Sequence, residues 1–291
     1  MIISQVIGGL GNQMFQYAAG RVLALAHNTS LALDTSGFKN YELHQGFELG
    51  RVFSAPFAEV GAKDMLQVLG WRRHAVVRRL LDRLPRNVVG AGAYVNEPHF
   101  HYWPQFESLP KQAYLAGYWQ SEKYFQRHAS QIRKDFTFAP AKGRNTELAA
   151  EIYGVNAVSL HVRRGDYVSN PGTTAVHGLC SLAYYQDAIR VVVAQVPDAR
   201  LYIFSDDIEW VRQNLQITVP HKFIEHNQGK NSFNDMMLMS RCQHHIIANS
   251  SFSWWGAWLN GSSSKLVITP KKWFADDKST ADLIPHQWMR L

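Results

Sequence analysis

The sequence contains little cysteine and no long hydrophobic run, and each shortage excludes a class of protein. Only Cys180 and Cys242 are cysteines among the 291 residues, which argues against a disulfide framework and indicates a reducing compartment. No run of about 18 apolar residues occurs, so we expect no membrane-spanning helix. The first basic residue is Arg21, and a start without positive charge argues against a secretion signal. These shortages predict a cytoplasmic protein.

Several motifs of enzyme chemistry are also missing. There is no Asp-x-Asp pair, which argues against a metal ion bridging a diphosphate, and there is no Walker loop or Gly-x-Ser-x-Gly elbow. The histidines do not suggest a ligand set, because His244 and His245 are neighbours that point to opposite sides of a strand. His99 and His101 have no third ligand at close spacing, whereas a structural zinc site needs about four ligands. We expect no metal and no other cofactor.

Positive charge and aromatic rings are what the chain has in excess. Its 30 basic and 23 acidic side chains give a net charge of +7. Such a surplus favours anionic partners, which include nucleic acid, phosphorylated metabolites and acidic membrane surfaces. Nine tryptophans and twelve tyrosines fit sugar-binding walls as well as a buried core, so composition does not separate these two uses.

The order of apolar runs predicts an α/β fold in two domains. Near the start, IISQVI, a glycine turn, QMFQYAAGRVLALA and SLALD predict a parallel strand–helix–strand unit. Pro140 and Gly143 then interrupt the pattern, and this places the boundary between domains 1–140 and 141–291. The second domain alternates helices with the predicted strands AVSLHV, RLYIF, HKFIEH, HHIIA and KLVIT. We expect two Rossmann-like domains that face each other across a cleft.

Three polar stretches, HVRRGD, SDD and NSSFS, follow predicted strands of the second domain. Ligands bind at this edge of open α/β sheets. Arg163 and Arg164 are suited to bidentate phosphate binding, or else to a salt bridge with Asp166. Asp206 and Asp207 would either cap the next helix or accept hydrogen bonds from a guanine edge or a ribose. The serines of NSSFS lie at a helix start, where N-capping and anion binding are both expected.

The glycine turn GGLGNQ argues against one alternative function. It fails the dinucleotide-binding fingerprint because Met14 occupies the third glycine position. The missing glycine disfavours a nucleotide-cofactor oxidoreductase or sugar epimerase. The stretch is then either a plain turn or a turn that admits a sugar. A second alternative, a basic nucleic-acid-binding protein, rests on charge alone because no recognition module is present. We expect no nucleic acid partner.

Five motifs together resemble those of the bacterial α-1,2-fucosyltransferases, glycosyltransferase family 11. They are GGLGNQMFQYAAG, GYWQSEKYF, HVRRGDYV, FSDDIEW and NSSFSWWGAWL, in that order from about Ile7 to Pro270. The resemblance implies a GT-B-like architecture, with domain 1–140 on the acceptor side and domain 141–291 binding GDP-fucose. It implies inverting transfer of L-fucose from GDP-β-L-fucose to the 2-hydroxyl of a galactoside, without a metal. The acceptor would be a galactose-terminated oligosaccharide or a lipid-linked glycan, as in O-antigen synthesis.

The resemblance also implies roles for individual residues. Arg163 and Arg164 would stabilise the leaving diphosphate, with Arg163 the first choice for direct contact. It supplies no secure general base, so Asp166, His177 and Asp34 are candidates because they lie at predicted strand ends, with a structural role as the alternative. The implied donor-binding residues are His161, Asp206, Asp207, Asn249, Ser250, Ser251 and Ser253. On the fucose and acceptor side it implies Gly11, Asn12 and Gln13. Trp119, Gln120 and His44 are further candidates for the acceptor wall, with core or loop packing as the alternative.

Residues 71–86 combine apolar side chains at helical spacing with six arginines. A helix with a solvated basic face is the first interpretation. The second is a helix that lies on anionic lipid, which suits an acceptor carried on a lipid pyrophosphate. The predicted location is therefore the cytoplasm, with peripheral contact at the inner face of the membrane as an open alternative.

Overall fold

The chain divides into two α/β units in this computed structural model. The structure describes residues 1–40, 45–74, 76–77, 93–165, 178–276 and 278–291. The first unit consists of Met1–Thr137 and Ala281–Leu283, and the second of Phe138–Thr280 and Ile284–Leu291. The division therefore falls after Thr137 rather than after residue 140, and three residues near the end of the chain pack with the first unit.

A parallel four-stranded sheet organises the first unit. Its strands are β1 (Ile2–Gln5), β2 (Leu31–Asp34), β3 (Tyr94–Asn96) and β4 (Ala113–Ala116). Their order is β2-β1-β4-β3, and every pair is parallel. Helix α1 (Leu10–Ala26) joins β1 to β2, so the expected strand–helix–strand unit is present. The shorter helices are α2 (Leu49–Val52), α3 (Ala62–Leu69) and α4 (Ala129–Asp135).

The second unit contains a parallel six-stranded sheet with the order β10-β9-β8-β5-β6-β7. Its strands are β5 (Ala157–Val162), β6 (Arg200–Ser205), β7 (His221–Ile224), β8 (His244–Ile246), β9 (Val267–Thr269) and β10 (Met289–Arg290). Its helices are α5 (Arg144–Tyr153), α6 (Leu182–Gln195), α7 (Ile208–Asn214), α8 (Phe233–Arg241) and α9 (Ser251–Leu259).

Helices cover both faces of this second sheet. Leu160 and Ile203 belong to one buried cluster together with residues of α6. Tyr202 and Phe204, which alternate with Ile203 along β6, belong to another cluster with residues of α5 and α8. Because neighbouring strand residues point to opposite faces, this division explains why the strands are near-continuous apolar runs.

The stretch SEKYFQRHASQIRKDF, which predicts one helix, is broken in the structure. Glu122–Tyr124 and Gln126–His128 form 3₁₀ turns, and α4 begins only at Ala129. Ser121 does act as a cap, because its side chain accepts a hydrogen bond from the backbone N–H of Lys123 at 3.3 Å. Between the turns Phe125 has a φ of −134° and is fully buried. Packing of this ring interrupts the helix.

Residues 281–283 are fixed to the first unit through Asp282. Its carboxylate accepts hydrogen bonds from the backbone N–H of Tyr102 at 3.0 Å and from Lys123 Nζ at 2.5 Å. Its carbonyl oxygen accepts one from Ser121 Oγ at 2.6 Å. The residues that follow rejoin the second unit, where β10 pairs with β9.

The basic stretch 71–86 falls largely outside the described residues. Within the part that is described, Trp71 is exposed and the guanidinium of Arg72 lies 5.4 Å from the centre of its ring. The described part of the chain contains no helix that is both long and apolar enough to cross a membrane.

Candidate active site

The carboxyl ends of β5, β6 and β8 bring three of the predicted stretches to one edge of the second sheet. Strand β5 pairs with β6, with Val162 opposite Ser205, and with β8, with Leu160 opposite Ile246. The arginine pair after β5 therefore lies between the aspartates after β6 and the serine-rich turn after β8. This is the edge at which parallel α/β sheets bind ligands.

Arg163 is held at this edge by Asp206. Its Nη1 lies 2.8 Å from Asp206 Oδ2, and 27% of its side chain is exposed. The other carboxylate oxygen of Asp206 accepts a hydrogen bond from the backbone N–H of Arg164 at 2.8 Å. One aspartate thus fixes both the backbone of the loop and the guanidinium of Arg163, which keeps part of its surface open to solvent.

Arg164 is more enclosed than its neighbour. Its Nε donates to Asp207 Oδ2 at 3.2 Å, and its guanidinium carbon lies 3.6 Å from the centre of the Trp210 ring. Asp207 also caps α7, because Oδ1 accepts a hydrogen bond from the backbone N–H of Trp210 at 3.2 Å. Because Arg164 stacks on Trp210 and pairs with Asp207, it supports the conformation of the loop.

The glycine that follows the arginine pair allows the close approach of this loop to β6. A Cβ atom at Gly165 would lie 2.6 Å from Asp206 Oδ2. That distance is shorter than a nonbonded carbon–oxygen contact permits, so a side chain here would displace the carboxylate that orients Arg163.

His161 is a buried, neutral imidazole beside the arginine loop. Burial lowers its pKa to about 4, Asp206 opposes this shift and Arg163 adds to it. Its Nδ1 atom is buried and has no hydrogen-bond partner among the residues that the structure describes. The ring lies 5.9 Å from that of Phe252 in the first turn of α9. His161 thus links the arginine loop to the start of that helix.

Most side chains of the serine-rich turn form hydrogen bonds within the protein. Asn249 is buried, donates to the carbonyl of Trp273 at 3.1 Å and accepts from Cys180 Sγ at 3.3 Å. Ser250 is the N-cap of α9, and the buried Ser253 hydroxyl lies 3.3 Å from the Ser250 carbonyl. An anion at this position would meet the backbone N–H groups of the helix start. Ser251 is half-buried at the first helical position.

A polar cluster that the sequence analysis does not single out lies beyond the carboxyl end of β7. Asn145 and Asn227 exchange two side-chain hydrogen bonds of 2.9 and 3.0 Å. Asn227 also donates to Asp235 Oδ1 at 2.8 Å, and His226 Nε2 lies 2.8 Å from Asn145 Oδ1. Burial raises the pKa of Asp235 to about 7. The available signal was the polar run NQGKNSFND directly after the predicted strand HKFIEH.

Two of the residues predicted on the acceptor side are structural. Gln13 is fully buried and donates to the carbonyl oxygens of Gly8 at 2.9 Å and Gly46 at 2.8 Å. Trp119 is also fully buried, and its ring packs 5.1 Å from that of Phe106. Neither side chain is available as a wall for a sugar.

The other predicted residues of this side meet at the carboxyl edge of the first sheet. Gln120 Nε2 donates to Asn12 Oδ1 at 2.7 Å, which joins the turn after β1 to the loop after β4. Gly11 is buried within the first turn of α1. The structure thus keeps Asn12 and Gln120 as half-buried polar side chains at this edge.

A carboxylate occupies the N-terminus of α1. Glu48 is buried, pairs with Arg51 at 2.6 Å and accepts a hydrogen bond from the backbone N–H of Leu10. Burial raises the Glu48 pKa, and the interactions with Arg51 and Leu10 oppose that shift. Dinucleotide-binding folds place a phosphate at this position. The arrangement therefore argues against a nucleotide cofactor in the first unit.

The structure assigns the role of general base to none of the three candidates, Asp34, Asp166 and His177. Asp34 is buried and accepts hydrogen bonds from Tyr114 Oη at 2.7 Å and from the backbone N–H of Ser36 at 3.0 Å, so its role is structural. Asp166, His177 and His44 lie outside the described residues. Within the described residues no group of three His, Cys, Asp or Glu side chains is arranged to hold a metal ion, and metal-independent chemistry stays a prediction.

The chain is similar along its whole length to bacterial sugar transferases. The family model of glycosyl transferase family 11 matches residues 100–291. An alpha-1,2-colitosyltransferase of Escherichia coli is 36% identical over 100% of this chain and 99% of its own. The O-antigen biosynthesis glycosyltransferase WbnK of Escherichia coli is 32% identical over 98% of each chain.

Solved structures support the architecture. The NodZ alpha-1,6-fucosyltransferase soaked with GDP-fucose has a TM-score of 0.50 at 14% identity and covers 89% of this chain and 91% of its own. The fucosyltransferase NodZ from Bradyrhizobium has a TM-score of 0.51 at 13% identity over 88% of this chain and 92% of its own. This likeness concerns the fold alone, and it confirms the α/β, GT-B-like class predicted from the sequence.

Proposed function

The chain belongs to glycosyl transferase family 11, and we propose that it is a galactoside α-1,2-fucosyltransferase. It transfers L-fucose from GDP-β-L-fucose to the 2-hydroxyl of a galactose residue. The observation that carries the proposal is the placement of Arg163 at the carboxyl edge of the second sheet, where Asp206 orients it at 2.8 Å. The start of α9 follows the neighbouring strand β8.

The proposed reaction inverts the configuration at the fucose anomeric carbon. The acceptor oxygen forms a bond to that carbon while the bond from the carbon to the β-phosphate oxygen breaks, and GDP leaves with the electron pair. The proton of the attacking hydroxyl passes to a base or to water. Charge grows on the diphosphate as the bond breaks, so a fixed guanidinium and helix-start N–H groups stabilise the transition state more than the ground state.

This arrangement would make a divalent cation unnecessary. Arg163 supplies permanent positive charge with fork geometry suited to a phosphate. The neutral His161, held beside the loop, has a hydrogen-bonding nitrogen and adds no positive charge to that of the two arginines. Chelation by EDTA should therefore leave turnover unchanged, whereas strong inhibition by EDTA would contradict this part of the proposal.

The acceptor we propose is a galactose-terminated oligosaccharide or a lipid-linked glycan. The relative named for O-antigen biosynthesis supports a glycan of this kind. If the glycan is carried on lipid, the basic stretch 71–86 would contact anionic membrane at its cytoplasmic face. Flotation with vesicles that contain or lack anionic lipid tests this contact, and equal recovery from both would dismiss it.

A second candidate donor is GDP-colitose, the 3-deoxy relative of GDP-fucose. It is favoured by the 36% identity to an alpha-1,2-colitosyltransferase. The two donors share the nucleoside diphosphate and differ at one hydroxyl of the sugar. Assays with each donor at equal concentration separate the candidates, and the true donor should have the higher kcat/KM.

Ligand binding and transfer together test the proposed function. We expect GDP and GDP-fucose, but not UDP or ADP, to raise the thermal unfolding midpoint. Mass spectrometry and NMR of the product from GDP-fucose and lactose should show one α-linked fucose on the 2-hydroxyl of galactose. Saturable NADH binding without a GDP effect would support an oxidoreductase, and salt-sensitive DNA binding would support the nucleic-acid alternative.

A further inference from the structure

The loop that follows β4, residues 117–120, is held in an unusual conformation. Trp119 has a φ of +55°, a value rarely adopted by residues with a side chain, and Gly117 has a φ of +154°. The backbone N–H groups of Tyr118 and Trp119 donate to the two carboxylate oxygens of Glu97 at 2.7 and 3.1 Å. Gln16 Nε2 donates to the Gly117 carbonyl at 3.1 Å. Contacts from two other segments thus determine this loop.

Trp119 packs beneath the loop, whereas the side chains of Tyr118 and Gln120 lie outside the core. A Cβ atom at Gly117 would lie 2.4 Å from Glu97 Cβ, so this position requires glycine. The fully buried Trp119 anchors the loop between Phe106 and Tyr124. Tyr118, directly before it, is 42% exposed.

The amide pair Asn12–Gln120 has unused hydrogen-bonding capacity. The bond between them uses Gln120 Nε2 and Asn12 Oδ1. Gln120 Oε1 and Asn12 Nδ2 have no hydrogen-bond partner in the part of the chain that the structure describes. One is an acceptor and the other a donor, and a sugar hydroxyl both donates and accepts.

The chemistry of this edge suits a neutral ligand. The carboxylate of Glu48 already occupies the N-terminus of α1, and a second anion there would be repelled. A partly exposed phenol ring and two amides match a pyranoside, which has an apolar C–H face and a rim of hydroxyls. The weakly positive C–H groups of that face are attracted to the negative face of an aromatic ring.

We propose that Tyr118 stacks on the galactose ring of the acceptor and that the Asn12–Gln120 amide pair binds one of its hydroxyls. Glu97 is a positioning residue, because it acts by fixing the backbone of Tyr118. The assignment to the acceptor rests on the proposed function, whereas the affinity of this edge for a galactoside does not. Tyr118, and not the buried Trp119, is the aromatic residue of this subsite.

Galactoside binding without any donor gives the first test. Saturation-transfer NMR with methyl β-D-galactoside should show contact with the wild-type protein and a signal reduced about fivefold in Tyr118→Leu. Tyr118→Phe keeps the ring and should keep the signal. Tyr153→Leu is the matched control, since this tyrosine is 87% exposed on α5 of the second unit. Absence of a wild-type signal, or an equal signal in Tyr118→Leu, would overturn the proposal.

Steady-state kinetics give the second test. Tyr118→Leu should raise the KM for lactose about five- to tenfold, the range expected from loss of an aromatic contact. The KM for GDP-fucose and the Kd of GDP should change less than about twofold. Gln120→Leu and Asn12→Leu should each raise the lactose KM. The double variant should raise it no further than the more damaging of the two single substitutions, because the two amides act as one pair.

The outcomes separate this inference from the proposed function. If the wild-type protein binds GDP and transfers fucose while Tyr118→Leu keeps a normal lactose KM, the subsite is wrong and the function stands. If GDP does not bind and GDP-fucose does not support transfer, the function fails, and the NMR experiment still decides whether this edge binds a galactoside. Unchanged thermal unfolding midpoints establish that each variant is folded.

Discussion

Arg163 and Arg164 are adjacent, yet their surroundings give them different tasks. Arg163 pairs with Asp206 and keeps 27% of its side chain exposed, whereas Arg164 pairs with Asp207, stacks on Trp210 and is 17% exposed. Extended backbone sends neighbouring side chains in opposite directions, and Arg163 is the more exposed of the two. The direct contact with the diphosphate is therefore proposed for Arg163.

Arg163→Ala should lower kcat about a hundredfold, since one fixed donor to a developing charge is worth about 3 kcal/mol. Arg163→Lys should recover little, because an ammonium group does not reproduce the planar fork. Steady-state transfer assays measure both effects. Arg212→Ala is the matched control, an arginine of the same unit that pairs with Glu225 at the surface. Near-normal turnover in Arg163→Ala would remove the assignment.

The buried imidazole of His161 should make folding sensitive to acid. Its pKa in the folded protein is about 4, below the ordinary 6.5, so the unfolded chain binds the proton more readily. The stabilisation is fully present above pH 6.5 and is lost as the pH falls towards about 4. The difference between these two pKa values corresponds to about 3 kcal/mol in the free energy of unfolding.

Urea unfolding between pH 4.5 and 7.5 measures this effect. The free energy of unfolding should fall with decreasing pH less steeply in His161→Gln than in the wild-type protein. His245 is also buried and its pKa is lowered by burial, so only the difference between the two proteins isolates His161. Parallel pH dependences in both would show that His161 does not contribute.

At the scale of elements, the packing of α8 against α9 depends on one glycine. A Cβ atom at Gly256 would lie 2.9 Å from Met239 Cβ on α8. Gly256→Val should therefore push the helices apart and cost about 2 kcal/mol, as overpacked core positions do. Chemical unfolding measures the loss. Gly154→Ala, where a Cβ would meet its nearest neighbour at 3.7 Å, should be tolerated, and equal losses in both variants would contradict this account.

The regular elements could be predicted from the sequence because their patterns are local. AVSLHV predicts β5 to its last residue, since a strand buried on both faces is an unbroken apolar run. Strand β10 has two residues, Met289 and Arg290, and gives no such signal. It exists only because β9 offers an edge, which is a property of the assembled sheet.

The site could be located from the sequence more readily than its side chains could be assigned. The order of strands predicts that the loops of Arg163, Asp206 and Ser250 share one edge, and they do. The motif does not reveal that Gln13 bonds to Gly46 or that Trp119 packs on Phe106. Such contacts join distant parts of the chain, so short motifs do not contain them.

At the scale of the whole molecule, Asp282 should govern how firmly residues 281–283 are held on the first unit. Asp282→Ala removes the acceptor for Lys123 and for the N–H of Tyr102. We expect faster hydrogen exchange in segments 101–103 and 121–125, measured by mass spectrometry. Asp276→Ala, at an exposed aspartate, is the control. Unchanged protection in Asp282→Ala would show that the segment is held by other contacts.

The return of residues 281–283 to the first unit limits how relatives of this enzyme can be recombined. A chimera made with a single crossover after Thr137 would combine the Ser121 and Tyr102 of one parent with the Asp282 of another. Swapping whole halves would therefore break these hydrogen bonds whenever the parents differ here. A graft of the first unit should carry both segments, 1–137 and 281–283, from the same parent.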